Sequence, residues 1–162
     1  MKIPKKIDAE KVFNSLIGTW EIKRKIYDKM QSKQEFFEGK AEFVEVDIDK
    51  LKYREDIIFY KGVNKLHLFR EYFYNLSVGE NSIEVYFSEK FSEKKNHNDG
   101  MKLFHLFDFK KENNIAIGHH LCKLDTYCGE FMFCDENNFQ IIYNVNGSDK
   151  NYQIFSYFSK LV

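Results

Sequence analysis

The sequence predicts an all-β fold: a closed antiparallel up-and-down β-barrel of about ten strands, preceded by one short helix. Three observations carry this. From residue 18 onward the chain reads as strand, turn, strand, with no second helical pattern. The connections are short and rich in turn residues, which favours a meander. A meander of that many strands tends to curl and close, because a flat sheet would leave two long edges unpaired. A β-sandwich shares the period-2 signal and is the competing architecture.

The helix falls at about residues 8–17. Asp8 is placed to accept from first-turn N–H groups, and Val12, Phe13, Leu16 and Ile17 fall on one side. Strands are expected at 18–27, 35–47, 51–60, 66–76, 81–89, 101–109, 115–123, 126–134, 138–146 and 150–160. The intervening stretches are DKMQSKQ, DIDK, YKGVN, SVGEN, KKNHNDG, KKENN, DENN and NGSD. In GTWEIKRKI, Trp20, Ile22, Arg24 and Ile26 alternate with Glu21, Lys23 and Lys25. One face is therefore apolar except for an arginine, and the other is charged. With no linker or repeat in view, residues 1–162 read as one domain, the barrel covering about 18–160.

Composition narrows the function classes. Aromatic residues make up 17% of the chain, enough apolar surface for a core and too much for disorder. Lysine plus arginine number 25, as do aspartate plus glutamate, so there is no net charge to favour nucleic acid or an anionic membrane. Tyr and Phe interleaved with Lys follow from strand packing without base stacking. The N-terminal stretch lacks a signal-peptide pattern, and no apolar run has transmembrane length. Three cysteines, an odd number, do not make a disulfide framework. A soluble, reduced, cytoplasmic protein is the expectation. The stretch 89–100, EKFSEKKNHNDG, reads as a solvated loop.

Several motifs resemble a known group. The helix followed by LIGTWEIKRKI is similar to the first strand of calycins, the lipocalin and fatty-acid-binding-protein class, where Gly-x-Trp lies at the closed end of the barrel. YRE at 53–55, REYFY at 70–74, FH at 104–105, HLCxxDxYxG at 120–129 and GSDKNY at 147–152 extend the likeness over nearly the whole chain. Together they resemble an uncharacterised calycin-like family, domain of unknown function 6314. Its last motif usually reads Gly-Pro-x-Lys-Asp-Tyr; Ser148 and Asn151 depart from it here. The resemblance implies a barrel and carries no activity with it.

GHHLCKLDTYCGEF, residues 118–131, gathers histidines, cysteines, an aspartate and a tyrosine. The resemblance matches His120 and so favours His120 and Cys122 facing inward. A turn at Leu124–Asp125 would return Tyr127, Gly129, Phe131 and Phe133 along the inner wall. Cys128 and Cys134 would then face out, which excludes a zinc site using all three cysteines. A site of His105, His120 and Cys122 is the residual metal alternative, but its spacing matches no structural zinc motif, and no metal is expected. The same parity puts Leu51, Tyr53, Glu55, Ile57 and Phe59 on one face, as it does Leu68, Arg70, Tyr72 and Tyr74. Leu103, His105, Phe107 and Phe109 share another face, as do Tyr152, Ile154, Ser156 and Phe158.

The candidate ligand-binding residues are therefore Arg24, Glu55, Arg70, Tyr72, His105, His120, Cys122, Tyr127 and Tyr152. Buried charges need partners. Two arginines face one clear inward glutamate, with Asp125 a second acid at a strand end; if Asp125 stays at the rim, the cavity has a surplus positive charge. Such a cavity would bind a small anionic or polar-headed, amphipathic ligand. A self-paired polar core that binds nothing explains the same residues. A third reading is an isomerase- or hydrolase-type enzyme using His120, Asp125 and Tyr127 as an acid–base cluster. A fourth is a haem barrel with His105 or His120 as axial ligand. No other cofactor is expected.

Overall fold

The computed structural model describes residues 7–88, 103–109, 115–122 and 125–161. They form helix α1 (Ala9–Leu16) and ten strands: β1 (Gly18–Asp28), β2 (Lys33–Asp47), β3 (Lys50–Lys61), β4 (Asn64–Ser77), β5 (Ser82–Phe87), β6 (Leu103–Asp108), β7 (Ile115–Cys122), β8 (Asp125–Asp135), β9 (Asn138–Asn146) and β10 (Asn151–Lys160). Every expected strand is present. The differences lie at the ends: pairing with a neighbour extends β1 to β4 and β8 past their alternating stretches, while β5 and β10 begin one residue later than expected. No helix among these residues is long and apolar enough to cross a membrane.

All pairings are antiparallel between chain neighbours, and β10 returns to pair with β1, so the sheet curls into a barrel. Closure is uneven. Between β6 and β7 the described ladder is the single pair Asp108–Ile117. Between β2 and β3 the ladder runs down from Glu38–Ile58 to Asp47–Lys50 and does not continue above it. Both strands do continue: β2 above Glu38 pairs with β1, and β3 above Ile58 pairs with β4. The wall therefore splays at that end.

The other end is plugged by α1. Asp8 caps the helix by accepting from the Glu10 N–H at 3.0 Å. Ala9, Val12, Phe13 and Leu16 are buried against the barrel floor. Ile17 differs from the expected apolar side: it is the C-cap, outside the helical turn, and is 36% exposed. Trp20 is fully buried, and its indole N–H donates to the Leu16 carbonyl at 2.7 Å. Gly18 takes φ +132°, a left-handed value that lets the chain turn from helix into β1. Gly-x-Trp thus does at the closed end what the calycin resemblance implies. Asn81, at φ 49°, ties the plug to the sheet. Its Oδ1 accepts from the Ala9 N–H (2.8 Å), and its Nδ2 donates to the carbonyls of Ile7 (3.1 Å) and Phe109 (3.0 Å).

Above the plug the core is aromatic. Phe139 stacks on Phe158 at 4.3 Å and on Phe131 at 5.0 Å, and meets the Trp20 edge at 4.8 Å. These rings fill the lower barrel. The polar groups begin directly above them.

Candidate functional site

Parity along β1, β3, β4, β9 and β10 turns a polar layer inward at mid-height. Arg24 of β1 donates through Nη1 and Nη2 to both Glu55 oxygens at 3.0 and 2.8 Å, and through Nε to the Ser156 hydroxyl at 2.7 Å. The Tyr53 hydroxyl donates to Glu55 Oε2 at 2.6 Å. Arg24 and Glu55 have only 12% and 3% of their side chains exposed. The pair is therefore well buried, with good fork geometry and further hydrogen bonds to offset the cost of desolvation.

This environment sets the ionisation states. Burial pushes the Glu55 carboxyl up, but the Arg24 charge and hydrogen bonds and the Tyr53 hydroxyl outweigh it, holding Glu55 below its ordinary value. Burial would likewise lower Arg24, and the Glu55 carboxylate more than offsets that. Tyr53, Tyr74 and Tyr143 are raised, mainly by burial, and stay protonated donors. At neutral pH the layer is charged at its centre, at Arg24 and Glu55, with neutral tyrosines beside the pair.

Arg70 sits opposite Glu55 in the β3–β4 ladder. Its Nε is 3.9 Å from Glu55 Oε1, and 60% of its side chain is exposed. Tyr72 lies beside it. Two small chambers, about 90 and 60 Å³, flank the ion pair. Both touch Arg24, Glu55, Arg70, Tyr143, Ile154 and Ser156. The smaller faces Tyr53, Tyr72, Tyr74 and Phe158; the larger opens toward Ile26, Phe37, Ile57 and Leu68. Among the described side chains lining them, two guanidiniums face one carboxylate. The carboxylate already engages Arg24 closely, so Arg70 carries the surplus.

Of the sequence-predicted residues, Arg24, Glu55, Arg70 and Tyr72 come together here. Tyr152 does not line either chamber; it pairs with Asp28 near the splayed end. The side chains of His105, His120, Cys122, Asp125 and Tyr127 lie outside the described residues. Their backbone register sets His120 opposite Tyr127 and Cys122 opposite Asp125. Cys128 is half-buried and Cys134 exposed. Ser156, which parity places on the same face as Tyr152, Ile154 and Phe158, is a hydrogen-bond partner of Arg24. Tyr143 also lines both chambers, and the alternation of Phe139, Ile141, Tyr143 and Val145 along β9 is the sequence pattern that marks it as inward.

The fold has known counterparts. An S-type phycobiliprotein lyase, CPES, from Guillardia theta superposes with a TM-score of 0.66 over 96% of this chain and 94% of its own, at 8% identity. A second barrel, EF1p2_mFAP2b bound to DFHBI, superposes with a TM-score of 0.50 over 94% of this chain and 99% of its own, at 6% identity. At such identities the likeness is one of fold, an antiparallel barrel. A sequence search of the curated proteins finds no match. The family model that matches, over residues 16–160, describes a family of unknown function, and the chain belongs to that family, DUF6314.

Proposed function

We propose that this chain is a small-molecule-binding barrel, acting in the cytoplasm, whose interior receives the head of an anionic or polar-headed ligand. The observation that carries the reading is Arg70. It stands at the mouth of the chambers, 3.9 Å from a carboxylate whose two oxygens are already bound by Arg24. A guanidinium in that position is held in place yet open to an incoming carboxylate, sulfonate or phosphate oxygen. The tyrosines around it are neutral donors and flat apolar surfaces. One solved barrel of this fold is bound to DFHBI, so the architecture accommodates a small molecule.

Native mass spectrometry of the gently purified protein tests this. The wild type is expected to carry a discrete small-molecule mass that is lost on denaturation, and Arg70→Met to emerge without it. A wild type free of any adduct, or an adduct kept unchanged in Arg70→Met, would sink the reading.

A further inference from the structure

The chambers at the ion pair, about 90 and 60 Å³, lie far below the roughly 300–1,000 Å³ of a small-molecule site and have room for a head group rather than a whole ligand. The molecule has a much larger space next to them. Where β2 and β3 part above Glu38–Ile58, a cleft of about 790 Å³ opens in the barrel wall, within the range of small-molecule sites. Phe36 and Phe37 line one side, and Phe59, Tyr60 and Leu66 the other. Phe36 is 71% exposed and Tyr60 69%, unusual for rings on a barrel wall.

Cleft and chamber adjoin at one shared residue. Phe37 lines both, and its ring meets Phe59 edge-on at 5.2 Å, forming the sill between them. Along β4 the route is Arg70, Leu68, Leu66, opposite Glu55, Ile57 and Phe59 on β3. Leu68, on the inner face, is 51% exposed because the strand has by then risen into the opening. Four residues of strand separate Arg70 from Leu66, a span of about 13 Å at the usual rise.

We infer that the ligand is a monoanionic amphiphile whose apolar body leaves the barrel sideways, between β2 and β3, and lies about 13 Å along the Phe37–Phe59–Leu66 wall with its head at Arg70. Among the described residues the chambers hold one surplus cation, Arg70, which suits one negative charge. The inference rests on the anion-binding reading above and adds the direction, length and character of what is attached to the anion.

The probe is 1-anilinonaphthalene-8-sulfonate, a fluorescent anion with a flat apolar body, titrated into wild type, Arg70→Met and the double variant Phe59→Ala/Leu66→Ala. Affinity is expected to fall at least about tenfold in each variant. Loss in Arg70→Met alone would overturn the lateral seat and leave the anion reading standing. Loss in the double variant alone would support the seat and overturn Arg70 as the head site. No saturable binding to wild type, or equal binding to all three, would overturn both. A second measurement uses wild type alone: methyl NMR during the same titration. Shifts at Ile58 and Leu66 are expected beside those at Ile57 and Leu68, and shifts confined to Ile57 and Leu68 would sink the lateral route without relying on any variant's folding.

Discussion

Arg24 of β1 and Glu55 of β3 form their fork-to-fork pair across the whole width of β2, which lies between them. In the ladders Arg24 stands opposite Phe37 and Glu55 opposite Ala41, so the position midway is Gly39. Strands two apart are separated by about 10 Å, within reach of an arginine only if nothing rises in between. Gly39 and Ala41, the two smallest inward positions of β2, leave that passage clear. The bridge therefore depends on three strands, two of which contribute a charge and the third an absence of side chain.

Removing one partner of this bridge is expected to be costly. Arg24→Met leaves the Glu55 carboxylate buried and should destabilise by about 3–5 kcal/mol, whereas Arg24→Met/Glu55→Leu should recover most of that loss. Urea denaturation of both variants checks it; a single variant as stable as wild type would contradict the buried pair. Arg70→Met, at an exposed position, should change stability by less than about 1 kcal/mol.

Acid should weaken the fold through the same carboxyl. Glu55 is held below its ordinary value of 4.5, so the native state binds fewer protons than the unfolded chain in that range. The stability it contributes is complete above about pH 4.5 and is lost as pH falls through the lowered native value. Denaturation midpoints measured from pH 6 downward should drop below that point, and Glu55→Gln should flatten the slope. Asp56, also lowered by its hydrogen bond to Arg54, leaves a residual slope.

Gly39 should tolerate no side chain. A Cβ there would lie 2.3 Å from the Asp56 carbonyl oxygen and 2.9 Å from Ile57. Gly39→Ala must push β2 from β3 just below their parting, at a cost of about 1–3 kcal/mol. Thermal unfolding measures it, and an unchanged midpoint would mean that the strands can part further without penalty.

Asn81 is expected to govern attachment of the helical plug. Asn81→Ala removes its three hydrogen bonds to backbone groups of the plug and sheet and puts a Cβ-bearing residue without local compensation at φ 49°, a loss of about 2–4 kcal/mol. Asn81→Gly should lose about 1–2 kcal/mol less, because the backbone conformation becomes free of strain. Amide exchange in α1 should speed up in both; equal stability of the two variants would show that the conformation carries no cost.

What the chain shows by itself is everything with a period of two. The ten strands, their turns and the inward parity of Arg24, Glu55, Arg70 and Tyr72 follow from alternation and turn chemistry, because both act between residues close in sequence. The Gly-x-Trp floor was legible only through the calycin resemblance. Parity states only which face a side chain shares. It does not say which charges pair, nor how high on the barrel a position stands. Arg24 and Arg70 read alike in sequence, yet one is locked to Glu55 beneath the rim and the other stands 60% exposed at the chamber mouth. The choice between them, the passage over Gly39 and the parting of β2 from β3 arise from curvature and from strands that are not neighbours in the chain. Only the closed tertiary arrangement brings those distances into play.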